Sequence, residues 1–451
     1  MRKSVARRAA VKAAVIGSTV LLAPLFGATA ATAAPAPEQL GAEDLPAELV
    51  QALSRDLNMT PTEYLDRAAR AQQLQTYAAE FRSERPDVFA GAWLTPEGKP
   101  TVAVTSPDAA EVASNDGYTT RLAPVSAAAL ETSLTQMNQW VAAQPRDISQ
   151  LINSIAIDFL NSQLIVNVAN TPLAHVLNLP TLIANIKVVL SPNGGGPVEH
   201  RPMGGDTYIS APGPLDDAEL KTVDVCSFGF NSVDSAGNAL NISAGHCNPN
   251  IDKGDERAPV YGPNIRNIPA SPQLGTFVQS ELGGPSTLDY SLIQLNERAV
   301  GAGMDQPTVR GANGTTLTVT GTADPVVGAP VCKSGQSSTF TCGFVVADRV
   351  ETQLFTTEGD AKVVRGFASS ACTLGGDSGG AIISGTLALG ITSGSNAADA
   401  PDCEKANIAL AQYGGTATLG IPIRGILAHA DSAAGGGIGS GISVRTRPNA
   451  G

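Results

Sequence analysis

The sequence predicts an all-β domain in its C-terminal half, preceded by a segment that combines helices and strands. Of the 47 glycines, 38 lie at or after Gly204, and short β-prone runs such as residues 317–320 and 344–346 lie between them. Before Gly204, apolar residues recur at helical spacing over residues 45–81. With 43% apolar and 16% charged residues, the composition excludes a wholly disordered chain.

The N-terminus has the three-part pattern of a secretory signal. A basic start is followed by an apolar run from Ala13 to Phe26 and by small residues that end at Ala34. This run is shorter than the roughly 20 residues that a membrane-spanning helix needs. We therefore expect residues 1–34 to be removed and the mature protein to be secreted, extracellular and not bound to a membrane. The net charge of −12 argues against binding to nucleic acid.

Residues 35–203 are predicted to fold without a catalytic cluster of their own. Thr60-Pro61 predicts a helix start, and residues 88–94 and 101–104 predict two strands joined by a turn. Residues 155–159 and 164–168 repeat the hairpin pattern.

No nucleophile, base or metal-ligand set groups in this part of the sequence. His175 and His200 are isolated, and we interpret them as surface or packing residues. The run Pro192–Pro197 predicts a linker, so the domain boundary is expected near residues 192–206.

Three short runs after residue 220 contain the residue types of a nucleophilic hydrolase. They are Ile242–Cys247, Thr287–Ile293 and Gly375–Gly380, and they supply a histidine, an aspartate and a serine in that order. This order is one of the known arrangements of the serine-protease triad. The competing structural interpretations are a core histidine and a tight glycine turn.

Each residue of this set has a chemical reason to be there. The hydroxyl of Ser378 is a weak nucleophile that needs an adjacent base, and the imidazole of His246 has a suitable pKa. A buried carboxylate, Asp289, would fix the tautomer of that imidazole. The glycines around Ser378 let the N–H groups of Gly376 and Ser378 point at one developing oxyanion.

Residues 204–430 resemble the chymotrypsin-fold serine endopeptidases of secreted bacterial type, the streptogrisin and alpha-lytic protease group. Beyond the three runs, the matches are Val331–Gly335, Thr341–Gly343, Ala388–Gly394 and the Gly204-Gly205-Asp206 start. The resemblance implies two antiparallel β-barrels with the triad between them. It also implies peptide-bond hydrolysis through an acyl-enzyme, with no cofactor and no metal.

The resemblance further implies a set of structural contacts. From the residues alone, six cysteines allow fifteen pairings. The family pattern selects three of these pairings and a buried ion pair of Asp377 with a basic residue, which is usually Arg in the bacterial group and is Lys333 here. The three disulfides expected from the resemblance are Cys226–Cys247, Cys332–Cys342 and Cys372–Cys403. Metal binding by the cysteines is the alternative, although the sequence has no C-x-x-C pair.

The family pattern also places a specificity pocket. Its expected walls are made by Ser370, Ala371, Leu374, Ser393, Gly394 and Ser395. Because these residues are small or apolar and no acid stands at the expected base, we expect a preference for large apolar residues before the scissile bond. Asp402 and Glu404 flank Cys403 and leave a basic preference open.

By resemblance, the whole chain is a pre-pro-enzyme. The expected parts are a signal at 1–34, a pro-region at 35–203 that assists folding and inhibits, a protease domain at 204–430 and a flexible tail at 431–451. Processing is expected near Met203. Expected partners are polypeptide substrates and the chain's own pro-region, in a monomer. The alternatives are a separate binding module at 35–203 and a catalytically inactive, protease-like binding protein.

Overall fold

The computed structural model describes residues 39–144, 152–169, 179–191, 203–217, 220, 222–253, 257–264, 267–311, 315–355 and 361–447. Contacts divide the chain into two compact units, Met1–Ala36 and Pro37–Gly451, and the fold below is that of the second unit. The predicted signal, the Pro192–Pro197 linker, His175 and His200 lie outside the described residues. Among described helices, none is long and apolar enough to cross a membrane.

Helices occur mainly at the two ends of the described chain. The longest begins at Pro61, where Thr60 Oγ1 accepts from Glu63 N at 3.2 Å and Glu63 Oε2 accepts from Thr60 N at 2.8 Å. This reciprocal capping and the first-turn proline are why the helix starts at the predicted position. The longer helices are α1 Ala47–Ala52, α2 Pro61–Glu84, α3 Pro107–Asn115, α4 Ala127–Ala142, α5 Cys403–Leu410 and α6 Ile423–Ala434. A π-turn, Leu53–Leu57, follows α1, and a second, Val300–Met304, follows the short helical turn Glu297–Ala299.

The N-terminal part, which comprises the described residues up to 191, contributes six strands. These strands include both hairpins that the sequence predicted. Gly98, with φ +75°, lies in the turn between the first two strands, and Ser162, with φ +53°, lies between the fourth and fifth. The strands are β1 Phe89–Leu94, β2 Pro100–Val104, β3 Thr119–Leu122, β4 Ile152–Asp158, β5 Gln163–Ala169 and β6 Asn185–Ser191. β1, β2 and β3 form a three-stranded sheet.

An eight-stranded sheet holds the His and Asp runs of the predicted triad. Seven of its strands are β7 Thr207–Ser210, β8 Asp224–Ser227, β9 Phe230–Val233, β10 Ala239–Ser243, β11 Pro259–Tyr261, β12 Gln273–Gly283 and β13 Leu288–Leu295; the eighth is β23 Ser443–Val444. Across the sheet, these strands follow the order β23-β9-β10-β13-β12-β11-β7-β8.

A ten-stranded sheet holds the serine run and also contains strands from the N-terminal part. Its strands from the C-terminal half are β16 Gly321–Thr322, β17 Pro330–Gly335, β18 Thr339–Phe355, β19 Ala361–Ser369, β20 Ala381–Ser384, β21 Leu387–Ser395 and β22 Thr418–Pro422. Across the sheet the order is β17-β20-β21-β22-β19-β18-β4-β5-β6, with β16 beside β21 and a further pairing between β17 and β18. Two strands outside this sheet are β14 Thr308–Arg310 and β15 Thr316–Thr318. β14 and β15 form a two-stranded sheet, and Val309 of β14 also makes a β-bridge with Gly204.

The N-terminal part and the C-terminal sheets share one hydrophobic core. Ile155 and Ala156 of β4 pair with Glu351 and Val350 of β18, which continues the sheet from one part into the other. One buried cluster contains side chains from both parts, among them Phe81, Leu130, Ile157, Val331, Val345 and Phe367. Burial of this apolar surface is therefore a main source of their association.

Residues 431–447 do not form the flexible tail that the sequence predicted for residues 431–451; residues 448–451 lie outside the described part of the chain. α6 continues to Ala434, and Ser443–Val444 then pairs with β9 at the edge of the eight-stranded sheet. Ile442 and Val444 are 7% and 6% exposed, and Arg445 N donates to Asn231 O at 2.8 Å. The segment is rich in Gly, Ser and Ala, but it contains two alternating aliphatic residues, Ile442 and Val444. Their burial is enough to anchor a short edge strand.

Truncation tests this anchoring. A chain ending at Gly435 loses the burial of Ile442 and Val444, worth about 3 kcal/mol or more together. Its unfolding temperature should fall by about 6 °C or more. A chain ending at Arg447 is the control and should unfold at the parent temperature by calorimetry. Equal unfolding temperatures for both truncations would contradict the anchoring role.

Candidate active site

A short 3₁₀ turn after β10 brings His246 against Asp289 of β13. The distance from His246 Nδ1 to Asp289 Oδ2 is 2.7 Å. The turn is held tightly, because a Cβ on Gly245 would lie 2.0 Å from Glu281 O. The position before His246 therefore requires glycine.

Asp289 is fully buried and accepts four hydrogen bonds. Gly245 N and His246 N donate to Oδ1 at 2.7 and 2.9 Å, and Ser393 Oγ donates to Oδ2 at 2.6 Å. With the bond to His246, both carboxylate oxygens are satisfied on the protein side. Ser393 lies on β21, so this carboxylate joins the two large sheets.

These contacts set the charge states of the pair. Burial alone would lower the pKa of His246, but the negative charge of Asp289 and its hydrogen bond outweigh burial and raise the pKa above the ordinary 6.5. Burial alone would raise the pKa of Asp289, but His246 and the hydrogen bonds from Ser393 and the backbone lower it. Asp289 is thus an anion that favours the protonated imidazole.

Ser378 is half-buried in the turn before β20, between the two sheets. Ser227 N of β8 donates to Ser378 O at 2.8 Å, and Gly379 N donates to Thr392 O at 2.7 Å. A Cβ on Gly379, where φ is +84°, would lie 2.0 Å from Ser243 Oγ. The Ser378 turn therefore packs directly against the strand that ends at the His246 turn.

The N–H groups of this turn divide into two sets. Gly375 N, Asp377 N and Gly380 N donate to Ala398 O, Leu374 O and Asp377 O at 2.7, 3.1 and 2.9 Å.

By contrast, Gly376 N and Ser378 N donate to no protein acceptor among the described residues. Gly376 has φ +92°, a conformation that glycine adopts without strain. The two N–H groups that the sequence predicted as oxyanion donors are therefore the two that remain available.

Asp377 is the second buried carboxylate of the site. Its Oδ2 accepts from Lys333 Nζ and Leu374 N, both at 2.9 Å, and its Oδ1 accepts from Ser337 N and Ser338 N at 2.8 and 3.0 Å. Both members of the ion pair are fully buried. Burial raises the pKa of Asp377, but Lys333 and these hydrogen bonds outweigh it and lower the pKa.

Three disulfides surround the site, in the pairings that the resemblance implied. The structure joins Cys226–Cys247, Cys332–Cys342 and Cys372–Cys403. The first lies beside His246, and the sulfurs of this pair are close enough to the imidazole to resemble a metal-ligand group. Because these sulfurs are bonded to each other, they are not the thiolates that a metal would need.

The two predicted pocket walls lie on either side of β22. Ser395 pairs with Thr418 and Gly394 with Leu419, while Thr418 Oγ1 donates to Ala371 O at 2.6 Å. A Cβ on Gly394 would touch nothing within 4 Å, so space is open beside this wall.

The wall that contains Ser370 and Ala371 is held by a second threonine as well. Thr416 Oγ1 donates to Ser370 O at 2.9 Å. The threonine hydroxyls on and before β22 were missed from the sequence, because no motif marks them.

Two expected wall residues have other side-chain roles. Ser393 was predicted in the pocket wall, but its hydroxyl binds Asp289, because the alternation of the strand turns it toward the triad. Leu374 is 4% exposed and packs with Cys372, Ala397 and Leu410 rather than lining an open slot.

Comparison with known proteins identifies the family. No family model matches the chain. Streptogrisin-C from Streptomyces griseus is 26% identical over 411 residues, which cover 87% of this chain and 79% of that protein. Glutamyl endopeptidase 2 from the same organism is 36% identical over 151 residues, or 33% of this chain and 76% of that protein. The chain belongs to the bacterial serine proteases of the streptogrisin type.

Other similar proteins align with different fractions of this chain. Serine protease 1 from Rarobacter faecitabidus is 24% identical over 352 residues, and the chain spans 59% of its length. Among solved structures, Thermobifida fusca protease A is 26% identical over 54% of this chain and 98% of its own, with a TM-score of 0.37. The Cellulomonas bogoriensis chymotrypsin has the same identity and coverages, with a TM-score of 0.35.

The buried ion pair gives a stability prediction. Lys333→Met leaves the charge of Asp377 buried and unpaired, which should lower the free energy of unfolding by about 3–5 kcal/mol. Lys405→Met is the control, since Lys405 pairs with Asp402 in solvent and should be neutral. Thermal unfolding of both secreted variants measures this, and equal stabilities would contradict the role of the pair.

The triad contacts give a pH prediction. His246 must be neutral to act as a base, so activity should be lost as the pH falls through a midpoint above 6.5. Asp289→Asn removes the charge that raises the pKa of His246, so the midpoint should move down while kcat falls about 10⁴-fold. Asp224→Asn removes a smaller contribution and should shift the midpoint less. A larger shift for Asp224→Asn in pH–rate profiles would contradict this ranking.

Proposed function

We propose that the chain is a secreted serine endopeptidase, made as a pre-pro-enzyme, in which Ser378 is the nucleophile. The main support is the combination of two arrangements in adjacent turns. His246 Nδ1 lies 2.7 Å from Asp289 Oδ2, and the only unused N–H groups that the described Gly375–Gly380 turn contains are those of Gly376 and Ser378. The Sγ of Cys247, the residue after His246, lies 3.9 Å from Ser378 O, so the turn with the proposed base adjoins the turn with the proposed oxyanion donors.

The first half-reaction forms an acyl-enzyme. Ser378 Oγ attacks the carbonyl carbon of the scissile bond, and its proton passes to His246 Nε2. The carbonyl oxygen becomes an oxyanion that accepts from Gly376 N and Ser378 N. His246 then gives the proton to the leaving amine as the C–N bond breaks.

The second half-reaction releases the acyl group. A water molecule gives a proton to His246 Nε2 and attacks the ester carbon through a second oxyanion. The C–O bond to Ser378 breaks, and Ser378 Oγ recovers the proton. Asp289, held by four hydrogen bonds, stabilises the imidazolium in both halves.

We further propose that the enzyme prefers large apolar residues before the scissile bond. The support is the open space beside Gly394 and the small, uncharged side chains of Ser370, Ala371 and Ser395. One relative is named a glutamyl endopeptidase. A glutamyl side chain would find hydroxyl groups from Thr416 and Thr418 near these walls, but no cation among the described wall residues.

Residues 35–203 are proposed as a pro-region that remains docked until it is removed. Supporting contacts are the β4–β18 pairing, Asp56 Oδ2 accepting from Cys342 N at 3.0 Å, and Tyr64 Oη donating to Gly385 O at 3.1 Å. We propose that the protein acts as an extracellular monomer, and that the two large sheets correspond to the two β-barrels of the family.

Processing between Met203 and Gly204 agrees with the packing of the new N-terminus. Arg310 N donates to Gly204 O at 2.7 Å, and a Cβ on Gly204 would lie 2.2 Å from Gly229 O. Gly204 is therefore held by the protease part on its own side of the proposed cleavage. Arg201 and Pro202 lie outside the described residues.

A peptide panel tests the activity and the preference together. The secreted protein, expressed from the full chain and processed near Gly204, should cleave a peptide with Phe before the scissile bond at least about ten-fold faster in kcat/KM than matched Arg or Glu peptides, because each mismatch leaves a buried charge without a partner. Ser378→Ala should lower kcat by about 10⁶-fold. A Glu or Arg peptide cleaved fastest would refute the preference, and equal cleavage by Ser378→Ala would refute the nucleophile.

A further inference from the structure

The oxyanion site depends on the orientation of one peptide unit. The N–H of Gly376 belongs to the peptide between Gly375 and Gly376. In a trans peptide, the C=O and N–H bonds point in opposite directions. The Gly376 N–H therefore points toward the substrate only while the Gly375 carbonyl points away from it.

The backbone alone does not select this orientation. Both residues of the peptide are glycine, and Gly376 has φ +92°. Glycine samples positive and negative φ about equally, so a rotated peptide is accessible. After that rotation the Gly375 carbonyl oxygen would face the developing negative charge, and the site would repel the oxyanion.

Two side chains hold the carbonyl groups of this segment on the interior side. Ser337 Oγ donates to Gly375 O at 2.5 Å, and Ser227 Oγ donates to Gly376 O at 2.9 Å. The carbonyl groups on both sides of Gly376 are thus held by hydroxyl donors from β8 and from the β17–β18 turn.

The direction of the Ser337 hydroxyl is itself determined. Gln336 Nε2 donates to Ser337 Oγ at 2.6 Å, so the one hydroxyl proton of Ser337 remains for Gly375 O. Ser337 N donates to Asp377 Oδ1 at 2.8 Å, which fixes the backbone of Ser337 relative to the nucleophile turn. A Cβ on Gly376 would lie 2.2 Å from Gln336 Nε2, so the amide packs directly on the peptide it helps to orient.

We propose that Ser337 is a positioning residue, which orients the Gly375–Gly376 peptide so that its N–H faces the reacting carbonyl. The proposal rests on the proposed peptidase function. Ser337 touches no substrate and acts through Gly376. Its hydroxyl contributes to the transition state, where the oxyanion exists, and not to ground-state binding of the peptide.

The test is a kinetic comparison of hydroxyl deletions in the secreted protein, expressed from the full chain and processed near Gly204. Removing an oxyanion donor lowers kcat by about 10²–10³-fold. In Ser337→Ala, the Gly376 N–H would point away from the oxyanion for part of the time. We therefore expect kcat to fall by about ten- to hundred-fold. KM should stay within about twofold of the parent, because ground-state binding is unchanged. Affinity for a peptidyl trifluoromethyl ketone, whose adduct places an oxyanion in the same site, should fall by the same factor as kcat.

Matched variants separate positioning from folding. Ser337→Thr keeps the hydroxyl and should restore kcat, whereas Ser337→Val, which has the shape of Thr, should not. Ser334→Ala is the control, since Ser334 lies three residues away with a buried hydroxyl that has no hydrogen-bond partner among the described residues. It should leave kcat unchanged.

The outcomes discriminate between the inference and the function. If the parent cleaves peptides while Ser337→Val keeps kcat within about twofold of Ser337→Thr, the inference is wrong and the function stands. An equal loss of kcat in Ser334→Ala would show a general effect of the β17–β18 hairpin and would also overturn the inference. A parent that cleaves no peptide would overturn the function and the inference together.

Discussion

The turn that contains Ser378 depends on one buried charge, the carboxylate of Asp377. It is fully buried and is neutralised by Lys333, with three backbone N–H groups from both sides of the turn as further donors. A buried carboxylate is costly unless such partners are present, so the turn is confined to the one conformation that supplies them. In that conformation Gly376 N and Ser378 N donate to no acceptor among the described residues. The same charge therefore orders the site without touching the substrate.

His246, the proposed base, is held by a similar arrangement between the two sheets. Asp289 receives Gly245 N and His246 N from the His246 turn and Ser393 Oγ from β21. Each large sheet contributes donors to this one carboxylate, and Ser227 of β8 likewise binds the serine turn through Ser378 O. The geometry of the triad thus depends on how the two sheets pack. Loss of either carboxylate should change more than a single contact.

The residues that we propose to react could be picked out from the sequence, whereas several that would position them could not. Ser378, Gly376 and His246 lie in runs whose composition has a direct chemical reason. Ser337 and Ser393 are ordinary serines in β-prone segments, and their roles arise only when distant strands meet. The C-terminal strand was also missed, because its glycine-rich composition outweighs two aliphatic residues. A local sequence pattern indicates the chemistry of a motif and its secondary structure. It does not indicate which side chain from a distant strand will contact that motif in the folded protein.

The most direct measurement of the central claim is the intact mass of the secreted protein before and after reaction with a fluorophosphonate probe. The account predicts one adduct on a species that starts near Gly204, and no adduct on Ser378→Ala, since only a serine activated by His246 reacts at neutral pH. An adduct that persists in Ser378→Ala, or no adduct on the processed species, would contradict the claim that this turn forms a working catalytic site.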